Sequence, residues 1–496
     1  MNGAAYIMVV LGILLAKGLG FYRELVFASV FGATTVTDVY FQVFGLVNLI
    51  FTGIGVALST LVIKNLNKPL YALLEKKREY VSSFITKTTL WVLLASAFMY
   101  VFSGSIVNIL LPGISGNDYA VAVDIMHIML PSFLFVIIAY IISGVLQNCG
   151  VFFITSIMSL PFNCIIIASL LFENVNIMMV SVVTTIGWLL HIVIQLPSFY
   201  KKGYRLFSLP RRSEPKAGLN PEIVFIFISN MMFQLCFMLD KAAVSADSGI
   251  ASTITYASNL FVTISSVFVV AMSNVVFPSI SKNYEEGNID YVRSLVQYII
   301  TVMFAIFIPF ILTVCCFGKN IIGLLYERGE FTADLTATTA VFFAVYTLGA
   351  FGYICQELFN KILYLDSKYV YTVSGTAAVV ALKMILNKIF MNSGNAFLIS
   401  ASTTVLFTAY AIMIAVAMSK TIGRYIDAAL MKKVAKIVAG GVGAIIVFSL
   451  FKSFAPKLFE GKALFLVPLG LCGAVYIGIL VLNNTVKDIL NGRNTK

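Results

Sequence analysis

The sequence predicts an all-α polytopic membrane protein, and three observations carry that prediction. Apolar residues make up 60% of the 496 and charged residues only 11%, against roughly 25% charged in an average soluble domain. Mean hydropathy is +0.96. Fourteen stretches have the length of apolar chain, roughly 17–25 residues, that lets a helix cross the hydrocarbon core. A soluble fold could not cover this much apolar surface, which excludes secreted disulfide scaffolds, disordered chains and ordinary cytosolic enzymes.

In order, the stretches are residues 6–30, 39–63, 81–102, 121–147, 151–172, 177–199, 223–243, 254–280, 295–317, 337–363, 370–390, 397–418, 434–451 and 464–482. The first, fourth and eighth are long enough to tilt or to extend past the bilayer. Charge in the connections sets the orientation, because basic residues collect in cytoplasmic loops. With both termini in the cytoplasm, the inside loops, adjoining span ends and C-terminal tail hold 23 of the 34 Lys and Arg, and the outside loops with their adjoining span ends hold 7. The net charge of +12 is thereby assigned to topology, and no nucleic-acid partner is inferred. The apolar start continues through Lys17 and Arg23 to Val30, too long and too interrupted for a cleaved signal peptide. The seven cysteines lack CxxC or Cys/His metal spacing and there are only two histidines, so no metal or other cofactor is expected. The thiols read as small core hydrophobes.

The longest inside connection, 201–221, is basic and carries Pro210, Pro215 and Pro221. It reads as a linker between a six-helix lobe at 1–200 and a second at 222–420, with two further helices and a tail at 421–496. Two echoes support a duplication. An acidic residue precedes the second span of each half (Asp38; Asp240 and Asp247), and each such span ends in a Lys-Asn pair, Lys64-Asn65 and Lys282-Asn283. Paired bundles around a cavity are a common transporter plan.

Ionisable groups inside spans are costly unless they face water or a partner, so function is sought there. In the first span Lys17 and Arg23 stand six residues apart with Gly18 and Gly20 between them, and the glycines permit a bend that turns both cations to one cavity. Pairing of Arg23 with Glu24, or snorkelling to an interface, is the alternative. His127 with Asp124, His191, the pair Asp240 and Lys241, and the group Gln356, Glu357 and Asn360 are further intramembrane polar residues. For His127, Asp124 and His191 the plain reading is a hydrogen bond to a neighbouring helix; Asp240 and Lys241 read as a pair at the outer interface, and Gln356, Glu357 and Asn360 face either a cavity or each other. Lys383 lies mid-span in the eleventh stretch and needs a carboxylate or carbonyl partner, Glu357 being one candidate. No Ser/His/Asp, Walker A or HExxH arrangement is present, which leaves hydrolysis and ATP-driven pumping without support.

Several short motifs together resemble one family. They are Gly20-Phe21-Tyr22-Arg23-Glu24, Phe31-Gly32-Ala33, Thr37-Asp38, Leu209-Pro210-Arg211, Thr255-Tyr256-Ala257 with Leu260, Phe277-Pro278-Ser279-Ile280-Ser281-Lys282, Gly287-Asn288, and Arg328-Gly329-Glu330-Phe331-Thr332. In order and spacing, from the first span through the twelfth, the chain resembles the MurJ family of peptidoglycan lipid II flippases within the multidrug/oligosaccharidyl-lipid/polysaccharide exporter superfamily.

The resemblance implies two six-helix lobes around a cavity that alternates between inward- and outward-open, with helices thirteen and fourteen lining a groove for the polyprenyl tail. It implies an undecaprenyl-pyrophosphate-linked glycopeptide as substrate and the bacterial cell membrane as location, with membrane lipids as surroundings and a monomer as working unit. Lys17 and Arg23 stand at two basic positions that bind the pyrophosphate, Lys17 in place of an arginine. Asp38 stands at an acidic position and Asn48 matches an asparagine of the second helix. Leu49-Ile50-Phe51-Thr52-Gly53 lacks the arginine and acidic residue usual there, and Asn259 replaces an arginine of the eighth helix. Lys241 is a candidate to restore one positive charge. A coupling-cation region among helices seven, eleven and twelve is also implied; here Lys383 would oppose a bound cation by Coulomb repulsion. A flippase for another polyprenyl-linked glycan, such as a capsule, O-antigen or exopolysaccharide unit, is the alternative. A drug/cation antiporter of the same superfamily would favour cavity carboxylates. A membrane glycosyltransferase would need a carboxylate-rich loop, and the longest loops are basic.

Overall fold

The computed structural model describes residues 3–67, 73–207, 221–391, 393–454 and 464–486, and all regular structure among them is helical. Most of the expected linker, from 208 to 220, lies outside the described residues, as does the Leu209-Pro210-Arg211 motif. Packing divides the chain into two compact units, Met1–Thr255 and Tyr256–Lys496.

The first unit begins with α1 (Gly3–Phe31), a single uninterrupted helix. Gly18 and Gly20 do not break it, because in lipid every backbone group is best satisfied inside the helix. A Cβ at Gly18 would meet nothing, and one at Gly20 would only touch Asn163 at 3.7 Å. Gly32, at φ +57°, turns the chain into α2 (Thr35–Ile50), which passes through one wide π turn, Phe51–Gly55, into α3 (Val56–Leu66). At Gly55 a Cβ would come within 2.8 Å of the Tyr140 ring. There follow α4 (Leu74–Val101), α5 (Ser103–Leu110), α6 (Gly116–Met129), α7 (Pro131–Asn148), α8 (Phe153–Ser156), α9 (Leu160–Leu170), α10 (Ile177–Val193), α11 (Leu196–Lys201), α12 (Pro221–Asn230) and α13 (Met232–Ala243). Prolines open α7, α9 and α11 at the first or second position. There the missing N–H is one the helix start leaves unused, so proline divides a long span without ending it. Small residues let helices approach closely: a Cβ on Gly144 of α7 would lie 2.8 Å from the Ser59 carbonyl of α3. One stripe of α4 faces outward, with Trp91 73%, Leu94 64%, Phe98 62% and Val101 74% exposed, the pattern of a lipid-facing surface.

Helix α14 (Ile250–Val275) starts in the first unit and continues in the second, which adds α15 (Phe277–Glu285), α16 (Ile289–Tyr326), α17 (Ala333–Leu348), α18 (Ala350–Leu365), α19 (Tyr369–Met391), α20 (Ala396–Ile422), α21 (Ala428–Phe454) and α22 (Leu466–Leu482). Helices α17 and α18 meet at 43° beside Gly349. Gly352 lets α18 lie against the Phe407 backbone of α20, where a Cβ would be 2.5 Å from the carbonyl oxygen. The last two helices close on α16 through Phe317, whose ring centroid is 5.0 Å from Phe448 and 6.0 Å from Phe465. Tyr476 of α22 donates to the Ala305 carbonyl at 2.9 Å.

Among the described residues ten helices are long and apolar enough to cross a membrane, or eleven with the bent pair counted as one span. The other three predicted spans fall on α1, on the broken pair α12 and α13, and on the 17-residue α22. The predicted count of fourteen therefore exceeds what length and hydropathy alone mark out.

Candidate functional site

Arg23 sits two-thirds of the way along α1, half-buried, with its guanidinium 5.5 Å from the ring centroid of Phe44 on α2 and 5.3 Å from that of Phe162 on α9. These rings are part of a larger aromatic wall. Phe44 stacks on Tyr40 at 5.8 Å, Phe162 packs on Trp188 at 4.5 Å, and His191 stacks on Phe162 at 5.3 Å. The Tyr40 hydroxyl bonds to Thr184 Oγ1 at 2.9 Å, which fixes α2 against α10. No carboxylate pairs with Arg23 among the described residues. A cation over aromatic faces is held in place without being neutralised, and the edge of the guanidinium keeps its N–H fork for an oxyanion. Lys17 is half-buried six residues earlier on α1, and Asn48 is half-buried one helical turn after Phe44.

Asp38 has a different role from a bare acidic ligand. It is buried on the first turn of α2, and its carboxylate accepts from the Gly249 amide at 2.7 Å, the Ser252 amide at 2.6 Å and the Ser252 hydroxyl at 2.5 Å. The start of α14 is thus capped by a side chain from another helix, with the negative charge at the positive end of the dipole. Gly249, at φ +81°, lies against the Ala33 backbone, where any Cβ would clash. Thr35 donates to Ser248 at 2.7 Å, and Ser245 Oγ accepts from the Gly113 amide at 2.8 Å. One turn after Asp38, buried Gln42 donates to the Leu110 carbonyl at 2.7 Å and the Met238 carbonyl at 3.3 Å. Over Gly45, two turns after Asp38, lies the Lys241 ammonium, 3.2 Å from where a Cβ would stand. Asp38 and Asp240 are the nearby charges that act on it. Sequence reasoning missed Gln42 and the rings of Phe44 and Phe162. For Gln42 the available signal was its place between Asp38 and Asn48 on an otherwise apolar helix.

In the second unit Lys383 is fully buried on α19 and donates to the Ile399 carbonyl and the Ser402 hydroxyl of α20, both at 2.6 Å. Glu357 is half-buried on α18, one turn before Lys361, and Asn360 beside it exchanges hydrogen bonds with Tyr410 at 3.1 and 3.2 Å. Asn259 is half-buried on α14, two turns after Ser252. These residues are part of one helical packing unit, whereas Arg23, Lys17, Asp38, Asn48 and Lys241 belong to the other.

An apolar helical bundle with a cradled cation and helix-anchoring polar groups is built to move a solute rather than to break bonds; the class is a membrane transporter. The fold agrees. A solved lipid II flippase MurJ in an inward closed conformation superimposes with a TM-score of 0.78 at 20% identity, covering 98% of this chain and 100% of that one. An inward-facing multidrug resistance MATE family transporter of the MOP superfamily gives 0.63 at 14% identity, covering 86% and 99%. In sequence, the probable lipid II flippase MurJ of Buchnera aphidicola subsp. Baizongia pistaciae (strain Bp) is 24% identical over 364 residues, 69% of each chain. The profile of the lipid II flippase MurJ family matches residues 27–469. The chain belongs to the MurJ family of lipid II flippases.

Proposed function

We propose that this chain carries lipid II across the bilayer by alternating access, taking the polyprenyl-linked precursor from the inner to the outer leaflet of a bacterial cell membrane. The observation that carries the reading, beside family membership, is the Arg23 guanidinium held in a transmembrane helix by two aromatic faces and, among the described residues, by no carboxylate. An anionic pyrophosphate must cross roughly 30 Å of hydrocarbon, and a fixed cation in a hydrated cavity offsets its desolvation. Arg23 offers the bidentate fork for phosphate and Lys17 a point charge. Asn48, Lys241 and Asn259 are proposed to contact the headgroup, and Glu357 and Lys383 to form the coupling region of the second lobe.

Asp38 supplies a latch in this cycle. Its three hydrogen bonds close one end of the first unit, and release of the α14 start opens it. Both termini are placed in the cytoplasm by the charge of the loops, and the working unit is a monomer of two six-helix lobes joined by the basic 201–221 connection. Complementation of a strain depleted of its own lipid II flippase tests the reading. Growth with normal lipid II turnover supports it. Failure to grow despite normal membrane expression, together with flipping of another polyprenyl-linked glycan in proteoliposomes, would assign the chain to that glycan instead.

A further inference from the structure

A polar cavity of about 590 Å³ opens in the first unit where the start of α4 meets the turn after α11, with Glu75, Arg78 and Glu79 on one side and Tyr200, Gly203 and Arg205 on the other. None of its lining residues is among those placed above in substrate contact or coupling. Its shape follows from the sequence after α11. Gly203 takes φ +79°, its amide bonds the Tyr200 carbonyl at 2.8 Å, and the Tyr204 amide bonds the Phe199 carbonyl at 3.3 Å. That is the glycine-dependent helix stop expected of a Lys-Lys-Gly sequence. The missing side chain at 203 makes room for Arg78, whose Cζ and Nε would lie 2.6 and 2.9 Å from a Cβ there. Arg78 Nε is buried and has no hydrogen-bond partner. The other wall is equally fixed, since Ser82 donates to the Arg205 carbonyl at 2.7 Å and Tyr204 is buried with its ring 5.5 Å from that of Phe199.

Two guanidinium side chains and two carboxylates thus share one cavity. A simple anion would meet the carboxylates unfavourably, and a simple cation the arginines. A ligand carrying a phosphate and a primary ammonium a few bonds apart satisfies both. The cavity also sits at the polar end of α4, just before the apolar run that begins at Tyr80 and Val81, and Leu74, Tyr200 and Phe207 expose apolar surface beside it. Aromatic side chains half out of the protein at such a level are typical of the lipid–water interface. We propose that this cavity binds the phosphoethanolamine headgroup of a membrane lipid, with the phosphate on Arg78 and Arg205 and the ammonium on the carboxylate side at Glu75 and Glu79. The site is independent of the flipping reading and would stand if the transported glycan were a different one.

The test uses the full chain purified in detergent, with lipid retention read by native mass spectrometry and by thermal shift during titration. Phosphatidylethanolamine is expected to bind about tenfold more tightly than phosphatidylglycerol, which lacks the cation, and than phosphatidylcholine, whose ammonium has no N–H to donate. Arg78→Gln should weaken phosphatidylethanolamine binding about tenfold, and Arg78→Lys less, because the charge survives without the fork. Gly203→Ala, which fills the cradle, should mimic Arg78→Gln. Glu75→Gln with Glu79→Gln should erase the preference over phosphatidylglycerol. Equal binding of the three lipids, or wild-type binding by a folded Arg78→Gln protein, would overturn the site. Soluble phosphoethanolamine competing as well as the lipid would overturn its assignment to a membrane lipid.

Discussion

Replacing Asp38 by alanine removes three charge-assisted hydrogen bonds, at 2.5, 2.6 and 2.7 Å, from the start of α14. Hydrogen bonds to a charged group contribute about 1.5–3 kcal/mol each when intact, but they are not additive, and water can rehydrate the freed amides. A net loss of about 3 kcal/mol is therefore reasonable, equivalent to roughly 150-fold in the open-to-closed ratio. A latch closed about 10:1 would become open about 15:1 by the same arithmetic. Asp38→Asn keeps one acceptor but turns an NH2 toward an amide that donates, so it should fall between alanine and wild type. The assay is disulfide trapping of Thr35→Cys with Ser248→Cys, whose parent hydroxyls are 2.7 Å apart, under mild oxidant and read by peptide mass spectrometry. Trapping should be fast in the wild-type background and much slower with Asp38→Ala. Equal trapping rates in the two backgrounds would refute the idea that Asp38 holds this end closed.

Arg23→Ala should abolish flipping in proteoliposomes at unchanged membrane expression, and Arg23→Lys should keep part of it; near-normal transport by the alanine variant contradicts a pyrophosphate contact. Lys383 places a buried ammonium on a carbonyl and a hydroxyl oxygen of α20, and a fixed positive charge opposes a bound cation nearby, so replacing sodium by choline should leave flipping unchanged. Lys383→Met should lower stability by about 1–3 kcal/mol, seen as a lower melting temperature, because buried oxygens lose their donor. For topology, cysteines introduced into the 201–221 loop and the C-terminal tail should be shielded from an impermeant reagent outside the cell, whereas one near Gly116 should react; a reversal of either breaks the orientation. The Leu430 amide and the Gln297 side chain hold the Asp427 carboxyl below its usual range. Its contribution is present above the ordinary aspartate range and lost as pH falls through the lowered value, so melts of Asp427→Asn and wild type should differ near neutrality and converge in acid.

Much of the candidate site was legible because its residues are expensive. A guanidinium in the first span must be compensated, and Arg23 could be singled out for that reason without knowing by what. The compensation itself was not legible. Phe44 and Phe162 are two of 41 phenylalanines, and nothing local distinguishes the pair that meets Arg23 from those that face lipid. Gly18 and Gly20 lie inside one continuous helix, because lipid penalises a broken backbone hydrogen bond more than glycine weakens a helix.

The sequence by itself determined the solvent, the helical class and the long apolar spans. Each of these depends on residues close together in the chain, or on composition alone. Only the tertiary structure decided what the polar residues do. Asp38 read as an acidic position of the second helix, and it became a cap because Gly249 and Ser252, more than 200 residues later, bring the start of α14 to it. Lys383 read as needing a carboxylate or carbonyl partner, and α20 supplies it a carbonyl and a hydroxyl. Arg78 read as one of several basic loop residues until a left-handed glycine at 203 was found packed against its guanidinium. Periodicity tells which face of a helix is apolar, but a hydrogen bond between distant segments depends on how whole helices dock, and no window of neighbouring residues contains that information.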